Sequence, residues 1–368
     1  MSTLSYPYDD HPPPGTTREI VPGVRWLTMP MGGGSLNHIN LYLLEDVDGW
    51  WVVDTGLNLE EVTALWDEIF RTELGGKPVI AVLCTHFHPD HIGQARRISD
   101  RFRVPLYMTH GEYYQARAFS GSGPGSDSNA WQSERFFRRA GMADETLTAL
   151  RDGWKARAKN PKSDAMVIPP MPEGYVRLRD GDELPIGRHQ WRVVVGAGHS
   201  PEHACLLCSE AKLILSGDQI LPIITSNVSV HASEPEANPL KDWMESLDRL
   251  LDLPSDLLVL PAHNLPFYGV RTRLRELISH HEERMRTLAD FCREPRTAYE
   301  MLPVLFNRKL DARQAMMAMG EAIAHAHLLT HQNRLERRLG EDDRYRFQTI
   351  ATGLNDSDAS LTAETLHE

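Results

Sequence analysis

Between Thr85 and His91 the chain reads Thr-His-Phe-His-Pro-Asp-His, which places His86, His88, Asp90 and His91 within six positions. Imidazole suits Zn and Fe, and a carboxylate adds charge, so this composition points to metal. Neighbouring imidazoles in one loop must point to different sides, so packing explains them poorly. The apolar run Val79 to Cys84 precedes the cluster, and Gly75-Gly76 and Pro78 bound it on the other side. That pattern predicts a buried strand with the four polar groups in the loop at its end.

Similar deliveries recur downstream. Trp191 to Val195 leads to His199 in Gly198-His199-Ser200-Pro201-Glu202-His203, Lys212 to Leu215 leads to Asp218, and Leu257 to Leu260 leads to His263. Each short hydrophobic run ends on one His or Asp, as expected of a sheet that presents ligands along a common edge. Asp54, in Trp51-Val52-Val53-Asp54-Thr55-Gly56, also closes an apolar run; it reads equally as a functional residue or as an Asp opening a turn before Gly56.

The spacing His-x-His-x-Asp-His, followed in order by single His, Asp and His residues, resembles the metallo-β-lactamase superfamily over about residues 20 to 268. The resemblance implies an α/β fold, the αβ/βα four-layer sandwich. It assigns one metal to His86, His88 and His199, a second to Asp90, His91 and His263, and makes Asp218 the bridge. A hydroxide held between two metals would attack the substrate, with Asp90, Asp218 and Asp54 as the carboxylates of the catalytic centre. Asp54 would lie near the metals and orient their ligands by hydrogen bonding. His203, the second His of a Gly-His-Ser-x-x-His motif, is expected to be a supporting residue. Two divalent ions are implied. Five imidazoles and two carboxylates favour Zn, while Fe or Mn also accept such donors.

Composition sets limits on partners. A length of 368 residues with 41% hydrophobic content suffices for one large core and a smaller one, hence one or two domains. A net charge of −12 disfavours a nucleic-acid substrate, because gripping phosphates demands a basic face. Arg271, Arg273, Arg275, Arg284, Arg286, Arg293 and Arg296 lie close together, but Glu276, Glu282 and Glu283 interleave them, as on a solvated helix face. The first fifteen residues carry no basic start followed by an apolar stretch, and no apolar run is long enough to span a membrane, so the expected setting is cytoplasmic, without membrane contact. Cys205 and Cys208 sit in an apolar strand-like run and read as buried thiols.

Four segments stand apart from the metal scaffold. A flexible N-terminus is expected over residues 1–19. Residues 111–170 combine a Ser/Gly-rich stretch, Ser120 to Asn129, with a helical pattern from Trp131 through Phe136 and Phe137 to Leu147 and Leu150, and read as a helical insertion placed to cover the metal edge. Tyr113, Tyr114, Phe119 and Trp131 would then line an acyl group or, more ordinarily, pack as helical core. Residues 269–345 predict a small C-terminal domain, with helices over 270–292 and 313–338 broken near Pro295, and residues 346–368 a polar, disordered tail. This block resembles the helical, winged-helix-like appendage of the superfamily branch that holds lactamase-beta-like protein 2, and the Gly198–His203 motif resembles glyoxalase II-like hydrolases.

The reaction expected from these resemblances is hydrolysis of a thioester, an acyl-CoA or related acyl-thiol. The alternative is a single-stranded RNA endonuclease, suggested by the C-terminal resemblance; lactone and β-lactam hydrolysis rank lower. The partner expected is a small acyl substrate, and the C-terminal helices could pair two chains into a homodimer.

Overall fold

The computed structural model describes residues 4–33, 36–120, 130–159, 167–307 and 309–350. The Ser/Gly-rich stretch and the tail beyond residue 350 lie outside the described residues. The chain opens with β1 (Arg18–Val21), β2 (Val24–Pro30), β3 (His38–Glu45) and β4 (Trp50–Val53), an antiparallel run. Helix α1 (Glu60–Thr72) then crosses to β5 (Val79–Leu83), which pairs parallel to β4. After α2 (Pro89–Ile92) and α3 (Ala95–Phe102) comes β6 (Leu106–Thr109). Three helices follow, α4 (His110–Phe119), α5 (Ala130–Arg139) and α6 (Asp144–Lys159), before β7 (Val176–Leu178) completes a seven-stranded sheet.

The second sheet has six strands: β8 (Glu183–Ile186), β9 (His189–Gly196), β10 (His203–Cys208), β11 (Leu213–Gly217), β12 (Leu258–Pro261) and β13 (Phe267–Tyr268). Helix α7 (Pro239–Leu250) makes the crossover that lets β11 and β12 run parallel. The remainder is α8 (Val270–Phe291), α9 (Ala298–Leu305), α10 (Ala312–His331) and a hairpin, β14 (Leu335–Leu339) with β15 (Tyr345–Thr349).

Strand periodicity explains the layering. Along β3, Ile39, Leu41 and Leu43 face a helical layer with Trp66, Ile69 and Ile98, whereas Tyr42 and Leu44 face the other sheet. Along β10, Ala204 and Leu206 meet the first sheet, while Cys205 and Leu207 meet the outer helices. Both sheets are therefore buried on both faces, which is why their strands read as continuous apolar runs. The result is helix, sheet, sheet, helix, the four-layer sandwich expected, with a C-terminal helical block.

Two expectations need correction. The helical stretch predicted through residue 338 ends at His331, because Asn333 adopts φ +57°, and Leu335–Leu339 forms a strand instead. Residues 346–349, predicted as disordered tail, are strand β15, whose Phe347 is buried in the C-terminal core. The helical pattern over 131–150 is two helices, broken where Gly141 takes φ +89° against Thr297. Helices α9 and α10 both begin with capping boxes, Thr297 with Glu300 and Asp311 with Gln314.

Candidate metal centre

All seven proposed ligands lie just past the C-terminal ends of strands. His86, His88, Asp90 and His91 follow β5, His199 follows β9, Asp218 follows β11 and His263 follows β12. Their ligand atoms form two groups, His86, His88, His199 and Asp218 in one, Asp90, His91 and His263 in the other, each within 4.8 Å of one another. Asp218 joins the two. Its Oδ2 lies 3.4 Å from His199 Nε2 and 3.9 Å from His86 Nε2, and its Oδ1 lies 3.4 Å from His263 Nε2 and 3.7 Å from His91 Nε2.

Hydrogen bonds behind the rings decide which nitrogen faces the centre. His91 Nδ1–H donates to Asp54 Oδ2 at 2.8 Å, His199 Nδ1–H to the Asn227 carbonyl at 2.8 Å, and His263 Nδ1–H to the His38 carbonyl at 3.3 Å. Thr85 Oγ1 donates to Asp54 at 2.9 Å and accepts from His86 Nδ1–H at 3.0 Å. Each of these four rings therefore aims its Nε2 inward. His88 differs, setting Nδ1 2.8 Å from His86 Nε2.

The electrostatics fit a cation. Burial and adjacent imidazoles hold His86 and His88 well below the ordinary histidine pKa, so both are neutral donors. Burial would raise Asp218, yet His263 and His91 outweigh it and keep the carboxylate ionised. His91 Nε2 and Asp218 Oδ1 are buried with no hydrogen-bond partner, an arrangement that costs free energy unless something binds there. These donors match two divalent ions, with nitrogen and oxygen ligands alone.

The other sequence-selected residues separate clearly. Asp54 belongs to neither group; it sits behind His91, buried, in the left-handed region at φ +59°, and also accepts the Thr85 N–H at 2.8 Å. His203 is buried, its pKa pushed down to about 3 by burial, and its Nε2 accepts the Asp218 N–H at 3.1 Å. Gly217, at φ +49°, leaves room for that ring, since a Cβ would come within 2.5 Å of it. Tyr113 is buried against Tyr175 and Phe119 stacks on Phe87, whereas Tyr114 and Trp131 are exposed.

Sequence reasoning missed two supports. Glu112, in α4, is fully buried and accepts the Phe87 N–H at 2.9 Å and the Glu202 N–H at 2.7 Å, tying together the two loops that carry His86, His88 and His199. A lone Glu after a helix start gives no such signal. The second is the C-terminal block. Arg273, expected on a solvated face, is buried and donates to the Leu221 and Ile224 carbonyls at 2.6 and 2.9 Å. Arg284 pairs with Glu321, which accepts from Asn227 Nδ2 at 3.4 Å, and Val230 N–H donates to Gly320 O at 3.1 Å. The segment Leu221–Val230, which supplies the carbonyl behind His199, is thus gripped by α8 and α10.

Gly93 shows how tightly the first loop is seated. A Cβ there would lie 2.4 Å from Asn58 N, 2.5 Å from Gly56 O and 2.6 Å from Leu57 C, all backbone. Gly93→Ala should therefore destabilise the protein by about 1–3 kcal/mol and reduce metal uptake. Urea denaturation and metal analysis check this; a variant with unchanged stability and metal content would show that the backbone can yield.

The Metallo-beta-lactamase superfamily profile matches residues 34–263, and the Metallo-beta-lactamase-like, C-terminal domain profile matches residues 285–350. A crystal structure of a beta-lactamase domain protein from Burkholderia ambifaria superposes with a TM-score of 0.84 at 41% identity, over 94% of this chain and 98% of that one. The chain belongs to the metallo-beta-lactamase superfamily. It is 24% identical to the probable metallo-hydrolase YqjP of Bacillus subtilis over 80% of its length and 88% of that protein's. It is also 27% identical to the acyl-coenzyme A thioesterase MBLAC2 of Bos taurus, over 62% of this chain and 73% of that protein. Among the described residues no helix is long and apolar enough to cross a membrane.

Proposed function

We propose that the chain is a two-metal hydrolase that cleaves the thioester of an acyl-CoA or related acyl-thiol. The observation that carries the hydrolase reading is Asp218, one carboxylate facing both ligand groups through its two oxygens. Two bound divalent ions, Zn favoured, would supply an acidified water and a polarised electrophile. The chain's own part is to hold that pair without reorganisation. His86, His88, His199 and Asp218 would keep one ion and Asp90, His91, His263 and Asp218 the other. The Asp54 carboxylate and the Asn227 and His38 carbonyls accept hydrogen bonds from the Nδ1–H groups and so keep three rings from turning.

In thioester hydrolysis the carbon–sulfur bond breaks as a carbon–oxygen bond to water forms, and the thiol leaves with the proton that water gives up. No Ser or Cys nucleophile is needed, and Cys84 and Cys205, both buried with pKa values raised by burial, are unsuited to the task. The thioester choice is supported by the similarity to MBLAC2 thioesterases and by exposed apolar side chains on and against the Leu221–Val230 segment, whose Asn227 carbonyl accepts from His199. Ile223 is 65% exposed, and Met317, 47% exposed, adjoins Ser229 through its carbonyl. Such side chains offer an acyl chain a place to lie.

The test is a panel of acyl-CoA, acyl-glutathione, lactone and single-stranded RNA substrates with the metal-loaded protein and His88→Ala. Thiol release from a thioester, lost in the variant, is the expected result. Cleavage of lactone or RNA with no thiol release from any thioester would overturn the reading.

A further inference from the structure

Away from the metal centre, α5 carries Trp131, Arg135 and Arg139 at four-residue intervals, a spacing that puts all three on one helix face. That face borders a cavity of about 330 Å³, whose other walls include Glu236, Arg337 and Tyr345. Two guanidiniums face the Tyr345 ring, that of Arg139 at 5.5 Å from its centre and that of Arg337 at 4.5 Å. Arg139 is fixed by two hydrogen bonds to Asp343, at 2.9 and 2.7 Å, and Arg337 by one to Glu236 at 2.7 Å. These pairs explain how α5 is pinned to the hairpin and how the hairpin is pinned to the 231–237 segment. They do not explain the rim, where Trp131 is 61% exposed and Arg135 is exposed beside it. In a chain of net charge −12, three arginines around one cavity outnumber the two carboxylates, Asp343 and Glu236, that pair with Arg139 and Arg337, and the excess guanidinium, Arg135, lies on the rim with Trp131.

We propose that this cavity binds a phosphorylated adenine nucleotide, with Trp131 stacking on the base and Arg135, Arg139 and Arg337 receiving the phosphates. Aromatic stacking recognises the flat base, and guanidiniums recognise phosphate with paired donors. The placement suits the nucleotide end of coenzyme A, and in that respect the inference rests on the thioesterase reading. Asn227, whose carbonyl orients His199, is five residues from Ala232 on the cavity wall, so the two are at most about 18 Å apart along the chain. One substrate could then span the cavity and the metals.

The experiment titrates the full-length, metal-loaded protein with 3′,5′-ADP, 5′-AMP, ATP and coenzyme A by calorimetry, using wild type, Trp131→Ala and Arg135→Gln. Both substituted positions are exposed, and circular dichroism verifies the fold. The expected result is binding of 3′,5′-ADP that weakens roughly 5- to 150-fold in Trp131→Ala, the range of one base-stacking contact, and weakens also in Arg135→Gln. The KM for octanoyl-CoA should rise with it, while hydrolysis of octanoyl-pantetheine, which lacks the nucleotide, should not change. Absence of nucleotide binding, or equal binding by all three proteins, overturns the inference, and octanoyl-pantetheine hydrolysis in that event leaves the thioesterase standing. Trp131-dependent nucleotide binding without hydrolysis of any thioester supports the cavity as a site for a free nucleotide and removes the thioesterase reading instead. Preference for 3′,5′-ADP over ATP and 5′-AMP marks coenzyme A as the source.

Discussion

Replacing Asp218 by Asn is expected to cut hydrolysis roughly 10³-fold or more and to lower bound metal from two equivalents to one or none. The side chain keeps its shape, so the loss reports charge and donor character rather than packing. The reason lies in the geometry: among the described residues no other carboxylate faces both groups as Asp218 does, with oxygens 3.4 Å from His199 Nε2 on one side and 3.4 Å from His263 Nε2 on the other. An amide offers one oxygen and turns an NH2 toward a ring nitrogen that needs a cation. Asp54→Ala is the instructive comparison, since Asp54 touches His91 from behind; its loss should cost roughly 10- to 100-fold in metal affinity and leave the ligand set whole. Elemental analysis after dialysis, alongside rates at saturating metal, checks both. Two equivalents retained by Asp218→Asn, with rates within tenfold of wild type, would show that the two groups do not depend on it.

The second large effect concerns Glu112. Its two oxygens accept N–H groups from Phe87 and Glu202, and Glu112→Ala would leave both donors unpaired, the first buried and the second partly so, at about 1–3 kcal/mol each. We expect a loss of about 2–6 kcal/mol of stability and a further loss of metal affinity, because the loops on either side carry His86, His88 and His199. The pH dependence has a definite sign. Burial raises the Glu112 carboxyl from its ordinary value near 4.5 to about 7. A folded-state pKa above the unfolded one gives a contribution that is complete below the unfolded value and lost as pH rises to the folded value. Wild type should therefore lose about 3 kcal/mol relative to Glu112→Gln, which does not titrate, between roughly pH 4.5 and 7. Urea denaturation of both metal-free proteins across that range measures the difference, and a difference independent of pH would show that the carboxyl ionises as an ordinary one.

The strands and the residues that end them were legible because each is a local pattern. A run such as Leu257–Leu260 announces a buried strand, and the polar residue that stops it must lie at the sheet edge. The order of His and Asp residues then carried the superfamily resemblance, and the structure brings the same seven side chains into two adjoining groups. What was illegible is long-range. Nothing around Glu112 says that its oxygens will find the backbone of residues 87 and 202, and the arginines of α8 look alike in sequence although Arg273 is buried and Arg293 is exposed. The end of α10 was overrun because Leu335-Glu-Arg-Arg-Leu339 is made largely of good helix formers; the turn at Asn333 and pairing with Tyr345–Thr349 override that preference. The composition of residues 111–170 suggests one insertion, but its parts serve different neighbours. Helix α4 braces the ligand loops, whereas α5 and α6 pack Phe137, Leu147 and Leu150 into the core of the C-terminal block.

That shared core has a consequence for anyone who would shorten the protein. Family profiles divide the chain near residue 270, inviting a trimmed version that ends there. Yet one continuous apolar cluster runs from Phe137 through Trp243 and Leu277 to Phe347. Cutting at the boundary would strip α7 of its cover and free the Leu221–Val230 segment from Arg273, Gly320 and Glu321. The product would be less a smaller enzyme than half of a folding unit. A residue such as Gly320, distant from every ligand in sequence, stands beside the strand of chain that aims His199, and inherited variation there would be felt at the metals.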